Sequence, residues 1–143
     1  FPASVYEVVI SGFQRKRGFR PFYNNREKEI ADKNMKRLGI LDIKKQCFSE
    51  LSGGQQQRVL ISRALCATDK IILLDEPVTG LDKETTEEMY KIINELNDEG
   101  VTIVMISHDA SATIRYASRV LHLGSKVFVG TNEDYKNYIR GDK

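Results

Sequence analysis

Two adjacent carboxylates, Asp75 and Glu76, follow directly on the apolar run Ile71-Ile72-Leu73-Leu74. An aspartate at the end of such a run suits a magnesium ion, which takes one or two carboxylates and completes its shell with phosphate oxygens and water. The glutamate beside it suits a general base that orients an attacking water. Two solvated carboxylates would read the same way, so the pair gains weight only from its company. Residues 51–58, Leu-Ser-Gly-Gly-Gln-Gln-Gln-Arg, put a serine and two glycines at what reads as a helix entrance. The first N–H groups of a helix have no partner inside it, and serine and glycine there admit an anion, phosphate above all. His108, in Ile106-Ser107-His108-Asp109, stands just beyond a second apolar run, and Asp82 precedes a long helical pattern. Taken singly, the histidine reads more readily as a structural group, and the aspartate reads equally well as a helix N-cap.

The elements that must position these residues follow from periodicity. Ile71–Leu74 and Thr102-Ile103-Val104-Met105-Ile106 are continuous apolar runs, as expected of parallel strands covered on both faces. Residues 83–99 between them carry Met89, Ile92, Ile93 and Leu96 on one helical face, and Gly100 ends the pattern. The three segments form a strand, crossover helix, parallel strand unit. That unit sets Asp75, Glu76 and His108 at the carboxyl ends of strands, where ligands of open parallel sheets sit. Upstream, residues 4–10 start a short apolar segment, and residues 12–23 form a loop rich in Arg, Gly, Phe and Pro. A helix is predicted over 26–38, with Ala31, Met35 and Leu38 on one face and Gly39 as its breaker. A second is predicted over 56–67 with an apolar stripe of Leu60, Ile61, Ala64 and Leu65. Downstream, residues 119–123 and 126–129 read as strands joined by a tight Gly124-Ser125 turn, with a short helix from Glu133.

A length of 143 residues fits one domain with a core of its own, and 22 basic against 20 acidic residues give no pull towards nucleic acid. The run Arg15-Lys16-Arg17 with Arg20 reads as solvated surface. Cys47 and Cys66 have no metal-ligand spacing and read as reduced residues of a cytosolic protein. No apolar run reaches membrane-spanning length, and no signal peptide is evident. The chain opens on Phe-Pro without a methionine, so further sequence is expected upstream.

In combination the motifs resemble one family, the nucleotide-binding subunits of ATP-binding cassette (ABC) transporters. Leu51 to Gln55 is similar to its signature motif, Ile71 to Glu76 to its Walker B strand with the catalytic glutamate, Gly80-Leu81-Asp82 to its D-loop, and His108 to its switch histidine. The resemblance implies an α/β fold: a partial P-loop NTPase core, a parallel sheet with crossover helices, plus an α-helical subdomain. Residues 1–50 would belong to the helical subdomain, and 51–143 to the signature helix and the C-terminal half of the core. It also implies catalytic roles for Glu76 and His108, nucleotide contacts from Ser52, Gly53, Gly54, Gln55 and Asp82, magnesium on Asp75, and ATP as the nucleotide. Two subunits would meet head to tail, so that Ser52, Gly53 and Gly54 serve ATP held by the partner.

No G-x-x-x-x-G-K-[ST] sequence occurs in the chain. The resemblance places that phosphate loop, and the Q-loop glutamine for which Gln14 is no substitute, upstream of Phe1. It places the phosphate-loop strand between the strand before His108 and the one starting near Arg119. The chain then reads as a C-terminal fragment that does not hydrolyse ATP alone. Phe1 to Val9, residues 13–22, Leu38 to Asp42 and the lead from Lys44 to Glu50 are similar to importers of metals such as zinc or manganese. Partners would be permease subunits, with the protein cytoplasmic and peripheral on the inner face of the cell membrane. A non-transport ABC ATPase of DNA maintenance or translation, and a regulatory fragment that only binds a partner, stay open at this point.

Overall fold

The computed structural model describes residues 2–14 and 21–141. Arg15-Lys16-Arg17 and Arg20 lie outside the described residues. The chain divides into two compact units, residues 1–105 and 106–143.

In the first unit, helix α1 spans Val5–Ile10, where the apolar residues alone suggested only a short segment. Ser4 and Glu7 explain the helix. The Ser4 hydroxyl oxygen accepts from the Glu7 N–H, and the Glu7 carboxylate accepts from the Ser4 N–H at 2.7 Å, closing a capping box. A 3₁₀ turn, Ser11–Phe13, follows. Helix α2, Asn25–Arg37, starts on the same device made by Asn24 and Glu27. It ends at Gly39, whose φ of 67° turns the chain back. Ala31, Met35 and Leu38 are buried, as their spacing requires.

Helix α3 spans Gly53–Ala67, starting one turn earlier than its apolar pattern indicates. Its buried face is Val59, Ile61, Ser62, Leu65 and Cys66. Leu60, expected in that stripe, is instead 42% exposed, because one residue step turns about 100° and carries it to the helix flank. Strand β1 (Ile71–Asp75), helix α4 (Lys83–Asp98) and strand β2 (Thr102–Ile106) then form the crossover unit, with β1 paired to β2 in a two-stranded parallel sheet. Alternate strand residues point to opposite sides. Ile72 is buried and Leu74, Ile103 and Met105 pack on the core, whereas Ile71, Leu73, Val104 and Ile106 are exposed. The expected cover on both faces is thus present on one only, among the described residues. Met89, Ile93 and Leu96 of α4 join Val5, Val9, Met35, Leu38, Val59 and Ile61 in a single core. Each such side chain contributes about 1.5–3 kcal/mol by leaving water.

The second unit holds helix α5 (Ala110–Tyr116), strands β3 (Arg119–Leu123) and β4 (Val127–Thr131), and helix α6 (Asn132–Gly141). Helix α5 has no counterpart in the sequence reading. It starts because the Asp109 carboxylate accepts from the N–H groups of Ser111 and Ala112, and only Ala112 in it is buried, so it leaves no apolar period. The β3–β4 pair is antiparallel, with His122 opposite Phe128, and three residues rather than two connect it, so β4 begins at Val127. His122 and Phe128 pack on Tyr135 and Tyr138 of α6, and His122 Nδ1 hydrogen-bonds the Tyr135 hydroxyl at 3.1 Å.

Candidate functional site

The entrance of α3 is built by Ser52 and Gln55. The Ser52 hydroxyl oxygen accepts from the Gln55 N–H at 3.3 Å, and the Gln55 side-chain carbonyl accepts from the Ser52 N–H at 3.0 Å. The Gln56 N–H donates to the Ser52 carbonyl at 2.9 Å. This leaves the N–H groups of Gly53 and Gly54 as the amides of the turn without a hydrogen-bond partner among the described residues. They stand at the positive end of a helix of 15 residues.

Packing also requires the glycine at 54 and crowds position 53. A methyl group on Gly54 would come within 2.4 Å of Thr85 Cγ2, and one on Gly53 within 3.2 Å of Leu81 Cδ2. The start of α3 therefore lies directly against the loop that opens α4. Asp82 caps α4, its carboxylate accepting from the Thr85 N–H at 3.0 Å and from the Thr85 hydroxyl at 2.7 Å. Those two bonds, the backbone one first, hold the Asp82 carboxyl below its ordinary pKa. Ser52 to Gln55 and Asp82 are thus brought side by side through Leu81 and Thr85.

Asp75 ends β1 with its side chain exposed. Glu76 follows with φ of 46°, the one described non-glycine residue in the left-handed region. Its side chain accepts from the Thr79 hydroxyl at 2.9 Å, and its carbonyl from the Thr79 N–H at 3.1 Å. The Leu81 N–H donates to the Val78 carbonyl at 3.2 Å, and Gly80 takes φ of 78°. Two overlapping turns thus run from Glu76 to Leu81. A left-handed glutamate costs about 1–2 kcal/mol, and such strain gathers where the side chain must be aimed. His108 belongs to the second unit, where it is exposed beside the Asp109 cap.

Among the described residues no three histidine, cysteine, aspartate or glutamate side chains form a metal cage. Asp75 alone fits an ion that brings phosphate oxygens and water as its other ligands, as magnesium does. Thr79 and Thr85 are the site contacts that reading the motifs leaves out. Thr85 had a signal, three residues after a capping aspartate; Thr79 had none.

A parallel sheet with a crossover helix, carboxylates at the sheet edge and a glycine-opened helix packed against the loop that enters the crossover helix define the class of nucleotide-binding α/β domains. The ABC transporter family model matches residues 4–79, and the chain belongs to that family. It is 39% identical over 141 residues to the zinc uptake system ATP-binding protein of Listeria innocua, covering 97% of this chain and 55% of the relative. It is 40% identical over 146 residues to a phosphonates import ATP-binding protein of Pseudomonas syringae, covering 97% and 53%. An ABC transporter solved in an inward-facing conformation superposes with a TM-score of 0.88 at 26% identity, over 94% of this chain and 54% of that one. The chain spans about half the length of the curated relatives it matches. No helix among the described residues is long and apolar enough to cross a membrane.

Proposed function

We propose that this chain forms the second half of the ATP-binding and ATP-hydrolysing subunit of an ABC importer. Residues 1–50 are most of its helical subdomain, and residues 51–143 are the signature helix and the C-terminal half of the ATPase core. The loop that cradles phosphate within the same subunit lies outside these 143 residues. Two subunits meet head to tail beside permease subunits, on the cytoplasmic side of the membrane. Ser52, Gly53, Gly54 and Gln55 meet the γ-phosphate of ATP held by the partner, and Asp82 holds the adjoining D-loop. Glu76 orients the attacking water and takes its proton, and His108 acts as the switch histidine. Asp75 is the residue that would hold magnesium, which when bound neutralises charge developing on the phosphate oxygens.

One observation carries this reading. The Gly53 and Gly54 amides are unpartnered among the described residues at a helix start where position 54 has no room for a side chain. Such amides are worth most against an anion. The cargo is read as a divalent metal ion, supported by the name of the Listeria relative; the Pseudomonas relative supplies the competing cargo class. Metal uptake by the complete transporter, assayed beside phosphonate uptake, decides between them.

The test of the mechanism is Glu76→Gln in the complete subunit. Hydrolysis falls by about 100-fold or more, while ATP still binds and the dimer accumulates. Unchanged hydrolysis removes Glu76 from the mechanism. His108→Ala lowers turnover with little change in melting temperature, because an exposed side chain contributes few core contacts.

A further inference from the structure

We infer that Arg58 is a positioning residue for the signature turn, an inference that rests on reading Ser52 to Gly54 as a phosphate clamp. Arg58 lies on α3 little more than one turn after Gly53. Its guanidinium forks between two other elements. Nη1 donates to the carbonyl of Leu38 at 3.4 Å, one of the acceptors left open at the end of α2. Nη2 pairs with the Glu88 carboxylate on α4. The guanidinium lies beside the turn at Gly39, whose φ of 67° favours glycine and whose added methyl group would make only an ordinary contact with Nη1 at 3.5 Å. One planar group thus joins α2, α3 and α4.

The geometry gives the bridge its effect. Helix α3 touches the start of α4 at Gly54 against Thr85, a contact without slack. Val59 and Ile61 of α3 and Met89 and Ile93 of α4 share the core, which holds the helices together through non-directional apolar contacts. The Arg58–Glu88 pair, one turn past the Gly54 contact, adds a directional tie that fixes the register of α3 on α4 beside the Gly53 and Gly54 amides. Signature turn and D-loop then move as one block. Lysine cannot replace the fork, because one ammonium centre does not span both acceptors. The Arg58 and Glu88 side chains are 21% and 52% exposed, so the pair adds little to stability, which separates a positional role from a structural one.

The experiment uses the complete subunit and measures the ATP concentration that half-drives dimerisation, by sedimentation, together with ATP binding by separated subunits and the melting temperature. In Arg58→Ala and Glu88→Gln that concentration rises about tenfold, as expected when a contacting, coupled pair is broken. Binding by separated subunits stays unchanged, and melting shifts by about 2–4 °C at most. Arg58→Lys, which keeps the charge without the fork, recovers little of the dimerisation. Variants that dimerise as wild type, Arg58→Lys included, overturn the inference. Should Arg58→Ala fail to fold, Glu88→Gln decides, since it leaves the Leu38 contact in place. Wild-type subunits that do not dimerise with ATP overturn the clamp reading itself and this inference with it.

Discussion

Gly54 and Thr85 are packed so closely that a methyl group on the glycine would stand 2.4 Å from the threonine Cγ2, well inside van der Waals contact. The threonine cannot turn aside freely, because its hydroxyl is bonded to the Asp82 carboxylate at 2.7 Å. Gly54→Ala therefore pushes α3 away from α4 and costs about 1–3 kcal/mol, the usual range for an overpacked site. Thr85→Ser removes the offending methyl and keeps the hydroxyl. Added to Gly54→Ala, it should recover most of the lost melting temperature, and a double variant no more stable than Gly54→Ala alone would locate the strain elsewhere.

The Asp82 cap makes a pH prediction whose direction is fixed by its lowered pKa. A carboxyl that is more acidic folded than unfolded adds stability above its unfolded pKa, and that stability is lost as pH falls through the folded value. Asp82→Asn can still cap the helix but carries no such dependence. The melting difference between wild type and Asp82→Asn is expected to be steady near neutrality and to shrink below about pH 4. A difference that stayed constant through the acid range would show that the cap owes nothing to its charge.

Much of this arrangement is legible in the residues. The spacing of Ala31, Met35 and Leu38 identifies the buried face of α2, and the apolar runs locate β1 and β2. The starts of α1 and α3 are legible too, but in capping spacings, Ser4 with Glu7 and Ser52 with Gln55, rather than in apolar periodicity. Helix α5 is not legible, since it buries little and carries no stripe. A continuous apolar run signals two covered faces of a strand without saying which residues do the covering, and Leu73 lies 74% exposed among the described residues. The left-handed backbone at Glu76 leaves no mark, because nothing in Asp-Glu-Pro demands positive φ. It is imposed by the turns that follow.

Glu76 provides the third test. Glycine adopts φ of 46° without the steric cost that glutamate bears, whereas a β-branched residue bears more. Glu76→Gly is expected to melt within about 1 kcal/mol of wild type, strain relief offsetting the greater freedom of the unfolded chain and the lost Thr79 bond. Glu76→Val is expected to melt distinctly lower. If Glu76 orients the attacking water, both variants lose turnover in the complete subunit, so stability and activity separate at one position. Equal melting of the valine and glycine variants would mean that the loop relaxes out of the left-handed region at little cost.

The 143-residue chain expressed by itself is expected to self-associate. Leu73 and Leu123, at 74% and 75% exposure, and Leu121, Val127 and Val129 beside the latter, leave apolar strand faces open to water. Each sheet among the described residues has two strands, a size that is marginal alone and presents unpaired edges. Light scattering over a concentration series reads this directly, and a monomer across the series would show that these faces are tolerated.

The last prediction concerns Gly53, where packing and charge can be set against each other. Its neighbour Leu81 Cδ2 would lie 3.2 Å from a new Cβ, a contact that a flexible leucine end can relax, so a side chain at Gly53 is accommodated at modest cost. Gly53→Asp then places a carboxylate at an exposed helix start, where negative charge is favourable to the helix itself. Folding should therefore be little affected, and nucleotide binding by each separated complete subunit should remain. On the proposed reading of Ser52 to Gly54 as a phosphate clamp, ATP-driven dimerisation should nevertheless fail, because the new carboxylate would take the place of the partner's γ-phosphate and repel it. Losing one charge-assisted contact costs about 1.5–3 kcal/mol, a factor of ten or more in dimer affinity, before repulsion is added. Gly53→Ala serves as the control, adding the Cβ without the charge, and should dimerise far better than Gly53→Asp. Sedimentation with ATP distinguishes the cases. If the aspartate variant dimerises as readily as wild type, Ser52 to Gly54 do not clamp a phosphate in trans, and the segment is an ordinary helix cap packed against Thr85.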